Sequence, residues 1–325
     1  MIKFFRQSYA IQYVVIALLA IALWIPAFGS AKVSMGLGGP VTPLFNLVDG
    51  LLGFSPIAQL IFAFLLLVLE TLIFNAILVN NQIIGKVSTM GAFVFVLLMS
   101  LTRTQTSFYP FALSAIFIIL SINTLFEIYL SQKPELDLLK VGIFIALASM
   151  CYFPAIILIL WVIVSLPIAK KGSLRLELIP LTGFLFVYFF YFVGVYLFGD
   201  FLNVVHGYRD CFLNVRLSVK DFNLLDVILL SFLVIVSLLL SFGNSNYEKT
   251  VAIRVKMTMT MLLILFGLFL LFVGGNVLMN GLIFIALSII FAYEFTYMNN
   301  TGWANLVLTL FLLLVFANHY YFKLL

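Results

Sequence analysis

Charge is what this sequence has least of. Asp, Glu, Lys and Arg together make up 9 % of its 325 residues, against 65 % hydrophobic residues. A water-soluble domain cannot cover its surface with so few charges. The net charge of +5 is therefore not a nucleic-acid signature: the basic residues sit singly at the ends of apolar runs, the distribution that membrane topology imposes. Histidine and cysteine each occur twice. Cys151 and Cys211 lack metal-ligand spacing, and they read as two buried or idle thiols, with a disulfide between them as the alternative. HExxH, Walker A, GxSxG, CxxC and paired-histidine motifs are all absent, so no metal or cofactor is expected. Alternating strands of about ten residues are missing too, which excludes a membrane β-barrel.

What is present is apolar and continuous. Phenylalanine alone fills 36 positions, and the mean hydropathy is +1.24. The fold class this predicts is all-α: a polytopic transmembrane helical bundle of about 11 helices with almost no extramembrane domain. The expected spans are about 8–28, 57–79, 88–102, 108–130, two short arms within 141–169, then 178–198, 223–242, 257–275, 277–293 and 303–322. The first, preceded by Lys3 and Arg6, reads as a retained helix rather than a signal peptide, because its apolar run is long enough to span and no A-x-A-like site follows. Residues 43–54 are expected to form a short amphipathic helix on the membrane face. Residues 199–222 form the most charged loop, and 223–325 supply the C-terminal helices.

The stretch 140–171 organises the chain. Its apolar part, Val141 to Ala169, is 29 residues long. As one helix it would measure roughly 43 Å, too long for a hydrocarbon core of about 30 Å, and two full spans need about 40 residues. Pro154 follows Phe153 near its middle, where proline removes a donor and turns the preceding residue away from helix. Two short helices turning near Tyr152–Pro154 are predicted. Charge supports the hairpin. With it, Lys3, Arg6, Lys86, Lys133, Lys140, Lys170, Lys171, Arg175, Lys249, Arg254 and Lys256 fall inside, eleven in all, and Lys32, Arg103, Arg209, Arg216, Lys220 and Lys323 fall outside, six in all. A single crossing leaves nine and eight, and the positive-inside bias disappears. The N-terminus is thus expected in the cytoplasm and the C-terminus in the periplasm. Along the first arm, Gly142, Ala146 and Ser149 form a small-residue stripe that lets another helix approach.

Candidate functional residues gather in two places. On the outer side, His206 and Asp210 lie four apart, the spacing of an oriented acid/base pair on one helix face. Arg209, Arg216 and Arg103 could clamp a phosphate or carboxylate with planar donors, and Asp49 and Lys32 lie in the loop opposite. The bland alternative is a solvated loop of balanced charge, with Lys220 and Asp221 part of it. Within the apolar runs, Glu70 stands mid-helix with Asn75 nearby, an expensive position for an acid and a functional candidate by default, or polar glue between helices. Glu127 with Asn123, and Glu294, read as solvated or capping groups. His319, beside Tyr320 and Tyr321, reads as part of an interfacial aromatic belt.

The segment VGIFIALASMCYFPAIILILWVIVSLPIAKK resembles the paired short helices of GT-C type glycosyltransferases, and the layout of residues 1–198 looks like their core. The chain as a whole looks like a bacterial polytopic inner-membrane family with this layout. That resemblance implies a polyprenyl-phosphate-linked sugar donor and an acidic residue just after the first helix. Here that place reads WIPAFGSAKVSMGLGG, without an acid, and Asp49 is the first one. The leading expectation is therefore a non-catalytic, GT-C-like subunit of a cell-envelope assembly, among membrane lipids, holding a lipid or a protein partner's transmembrane helix and no nucleic acid. A transferase with Asp49 or Asp210 as base and Arg103, Arg209 and Arg216 on the phosphate is one alternative. A small-molecule transporter with Glu70 as protonation site is the other.

Overall fold

A computed structural model of the chain describes residues 2–7, 10–29, 41–53, 55–85, 88–101, 105–213, 232–237, 250–274, 281–298 and 301–320. Among these the regular structure is entirely helical. The elements are α1 (Ile2–Phe5), α2 (Ala10–Gly29), α3 (Pro43–Leu52), α4 (Pro56–Asn80), α5 (Met90–Met99), α6 (Pro110–Ile128) and α7 (Pro134–Cys151). A 3-10 turn (Phe153–Ile157) leads to α8 (Leu158–Ile168), α9 (Leu174–Phe198), α10 (Phe201–Leu213), α11 (Val251–Gly274), α12 (Gly281–Tyr297) and α13 (Thr301–Tyr320). Residues 232–237 are helical as well. By length and composition, α2, α4, α6, α9, α11 and α13 can each cross a bilayer. The protein is a multi-pass helical membrane protein.

The helices run alternately between two ends. One end joins the start of α5 to α1 (Thr89 N to Phe5 O, 3.0 Å), the end of α4 to the end of α6 (Asn81 Nδ2 to Asn123 Oδ1, 2.7 Å), and Arg6 to the last carbonyls of α12 (Phe295 O, 3.0 Å; Met298 O, 2.7 Å). The other end joins α2, α5 and α13, where Trp24 Nε1 donates to Ser100 Oγ at 3.3 Å and Tyr320 donates to Ala22 O at 2.7 Å. Ile2 bonds Asn305 near the start of α13, so Ile2 and Tyr320 lie at opposite ends. Lys3, Arg6, Lys133, Lys140, Lys170, Lys171, Arg175, Arg254 and Lys256 belong to the first end. Among the described basic residues, Arg209 belongs to the second. Lys32, Lys86, Arg103, Arg216, Lys220, Lys249 and Lys323 lie outside the described residues, as does most of the expected span 223–242.

The stretch 140–171 folds as a hairpin. Arg175 pairs with Glu135 at 3.0 Å, Gly183 meets Gly142, and Tyr188 OH meets Ser149 Oγ at 2.9 Å. Both members of each pair advance together, so α7 and α9 are parallel, and the chain between them must return. It does: Lys171 Nζ reaches Ser131 O at 3.5 Å, back at the start of α7. The small-residue stripe is the contact surface. A Cβ on Gly142 would overlap the Pro180 carbonyl, and one on Gly183 would stand 2.5 Å from Leu139 O. Removing the Tyr188 hydroxyl as Tyr188→Phe is expected to cost about 1 kcal/mol, read as a small drop in the thermal midpoint of the detergent-solubilised protein.

Several elements depart from the sequence reading. The first arm begins at Pro134, not 141, because Pro134 at the first helical position and Glu135 and Asp137 in the first turn are helix-starting signals. The expected span 88–102 shrinks to the ten residues of α5, every one of them buried. Residues 201–213, read as loop, form α10. Glu294 is buried rather than solvated, because α12 is covered on all sides. His319 is 1 % exposed, and its Nε2 lies 2.6 Å from Ser100 O while Asn318 Nδ2 donates to Leu101 O at 2.9 Å. It satisfies the carbonyls just past the end of α5, so it is not an interfacial group. Cys151 is a buried free thiol; the Cys211 side chain lies outside the described set.

Candidate functional site

Helix α4 carries a buried polar stripe. Gln59, Ala63, Leu67 and Glu70 follow at intervals of four, four and three, so they share one face, and all are buried. Gln59 Nε2 donates to Asp49 Oδ1 at 2.8 Å and thereby ties α3 to the start of α4. Asp49 is thus a positioning group for α3. Phe45 of α3 stacks on Phe108 with ring centres 5.1 Å apart.

Glu70 lies about two turns beyond Ala63, mid-way along α4. It is 2 % exposed, and its Oε1 has no hydrogen-bond partner among the described residues. Glu70 lines a narrow cavity of about 10 Å³, room for about one water molecule. The other walls are Trp24 of α2, Met99 at the end of α5, Gln105 and Ser107 of the following loop, Tyr109, and Ala112 of α6. Tyr109 lies within electrostatic reach of Glu70, and Tyr152 within reach of Tyr109. The Tyr152 hydroxyl is buried and has no hydrogen-bond partner among the described residues. Its ring meets Phe111 edge-on at 5.6 Å. The hairpin turn therefore brings a phenol to Tyr109, which in turn neighbours the buried acid. An uncompensated carboxylate in such a place would cost several kcal/mol, so this arrangement calls for a bound positive charge or a proton.

Asn75 has a different task. Its Oδ1 accepts from Ala92 N at 3.1 Å, and its Nδ2 donates to Ser88 O at 3.2 Å and to Tyr13 at 3.1 Å. It caps the start of α5 from a neighbouring helix and is structural. Tyr208 of α10 faces inward, 5.7 Å from Phe153 and 6.1 Å from Tyr188 between ring centres. His206, Arg209 and Asp210 occupy the exposed side of the same helix. His206 and Asp210 do share a face there, as their spacing predicts, but that face points away from the Glu70 cavity. Arg103 and Arg216 lie outside the described residues.

A second polar centre escaped sequence reasoning. At the basic end, Lys256 is 5 % exposed, and its Nζ donates to Asn81 O and Oδ1, each at 2.9 Å. Asn81 passes the network to Asn123, whose Nδ2 donates to Glu127 Oε1 at 3.0 Å. Lys256, Asn81 and Glu127 line a cavity of about 350 Å³ together with Gln82, Asp137 and Thr250. The sequence reading starts this span at 257 and leaves Lys256 just outside it, whereas α11 begins at Val251 and takes Lys256 into its second turn.

Two further features complete the inventory. An apolar groove of about 430 Å³ separates α13 from α5 and α12, with Phe232, Leu233 and Val236 on its far wall. Among the described residues no group of three His, Cys, Asp or Glu side chains could hold a metal ion. No protein-family model, curated protein or solved structure matches the chain.

Proposed function

We propose that this protein is a GT-C-like, non-catalytic subunit of a bacterial cell-envelope assembly. It sits in the inner membrane with its basic end in the cytoplasm and holds a lipid chain within the bundle. The observation that carries this reading is the groove between α13 and the body of the bundle. Its walls are aliphatic and aromatic: Val94 and Leu97 of α5, Phe291 and Phe295 of α12, and Leu308 and Phe311 of α13, among others. Such a space is too apolar to favour water, and close-packed interiors do not leave voids of that size. A hydrocarbon tail fits.

The sequence around the first loop agrees with a role in binding rather than transfer, because the acid that the GT-C resemblance implies after the first helix is missing. The tail of a polyprenyl-phosphate lipid and that of an ordinary phospholipid share the chemistry the groove requires. Extraction and mass spectrometry of lipid bound to the purified protein tests the idea and separates the two. A lipid class enriched about tenfold over the surrounding membrane is expected, and Leu314→Trp at the groove's rim should lower the enrichment several-fold. Lipid in bulk proportions, unchanged by Leu314→Trp, would overturn it.

A further inference from the structure

The Glu70 cavity is a different kind of site from the groove. It is small, polar on one side and placed inside the bundle. Three observations decide what it can take. First, Glu70 is 2 % exposed, with Oε1 unpartnered among the described residues and facing the cavity. Second, the polar groups of the other walls, Gln105, Ser107 and Tyr109, are neutral and carry oxygen. Third, the space fits one body the size of a water molecule.

Among the described walls, a single negative charge beside neutral polar groups that include the Gln105 amide matches one positive charge. A divalent ion would leave a surplus charge in an apolar interior, which is costly. An organic ammonium is too large. Thiolate and imidazole ligands, which softer metals prefer, are lacking among the described walls. We propose that the Glu70 cavity is a binding site for a single alkali-metal cation, held by the Glu70 carboxylate and by the oxygens of Gln105, Ser107 and Tyr109.

Protons compete for the same carboxyl oxygen. Among the described residues, the titratable groups facing Glu70 are Tyr109 and, behind it, Tyr152; α2, α5 and α6 contribute Trp24, Met99 and Ala112, which do not titrate. Acidification should therefore weaken the cation's hold through Glu70 itself. Occupancy by a cation in the folded state alone stabilises it by mass action.

The test uses the purified full-length chain in detergent micelles at constant ionic strength. NaCl, KCl and choline chloride are exchanged for one another, and unfolding and tryptophan emission are followed, Trp24 being part of the cavity wall. A saturable rise of about 3 °C or more in the thermal midpoint is expected with Na⁺ or K⁺ over choline. The half-saturating concentration should increase several-fold on acidification from pH 8 to pH 6. Glu70→Gln should abolish the cation dependence while leaving the helical circular-dichroism spectrum in place. Should Glu70→Gln not fold, Tyr109→Phe should raise the half-saturating concentration several-fold and serve instead. Equal midpoints in alkali and choline salts for the wild-type chain would overturn the proposal. So would a cation response that survives in Glu70→Gln.

Discussion

Gly142→Val is expected to prevent α7 and α9 from docking, at a cost of about 3 kcal/mol or more. The reason is geometric. A Cβ at position 142 overlaps the Pro180 carbonyl and stands 2.9 Å from its carbon and 3.0 Å from Phe184 N. All three obstacles are backbone, so no side chain can rotate aside. Gly183 faces the same seam from the other helix, with Leu139 O at 2.5 Å. Without a hydrophobic drive between helices in lipid, close backbone approach is what holds such pairs. The outcome is read as loss of a monodisperse peak in detergent and of full-length protein from membranes. Gly194→Val on the same α9 is the control, because a Cβ there meets nothing within 4 Å. If both variants behave like wild type, the α7–α9 seam is not where stability resides.

Asn81→Leu is expected to destabilise by about 3 kcal/mol, more than removal of Lys256 itself. Asn81 joins three helices: it closes α4 on Ile77 O at 3.1 Å, donates to Asn123 of α6 and accepts twice from Lys256 of α11. Leucine keeps the volume but leaves a buried ammonium with one of its two acceptors. Breaking one side of a buried charged network costs far more than replacing the whole of it with apolar groups. The double variant Asn81→Leu, Lys256→Met should therefore recover a large part of the loss. Thermal denaturation of the three variants in the same detergent measures the coupling. Equal stability of the single and double variants would show that Lys256 is not held by Asn81.

The hairpin was legible because length and charge are arithmetic. Val141 to Ala169 fits neither one span nor two, and the bias of basic residues requires an even crossing. The structure gathers nine of the ten described basic residues at one end, with Arg209 at the other, as that reading demands. The small-residue stripe was legible for a similar reason, since Gly142, Ala146 and Ser149 share a face by spacing alone. Which helix fills that face was not, because it is set by long-range packing: α9 arrives about 40 residues later. Glu70 was visible as a costly acid, yet Tyr109 and Tyr152 were not, since nothing local says that the loop before α6 reaches mid-α4 or that the hairpin turn meets the start of α6. His319 misled because aromatic neighbours suggest an interface, whereas the carbonyl it meets, Ser100 O just past the end of α5, lies more than 200 residues earlier in the chain. The start of α10 was hidden by its charge, which an exposed helix face and a loop display alike.

The parallel seating of α7 on α9 sets an order of events during synthesis. The Gly142–Gly183 contact closes only after the returning arm has been made, on the order of 2–8 s later at 5–20 residues per second. During that interval α7, with Glu135, Asp137 and Lys140 in its first two turns, is the least apolar of the long helices to enter the bilayer. It is therefore the segment with most to gain from a temporary companion, and α6, which packs along it and precedes it, is already there to serve. A nascent chain halted before residue 174 should accordingly leave α7 loosely inserted and open to proteolysis, whereas one released past residue 198 should not.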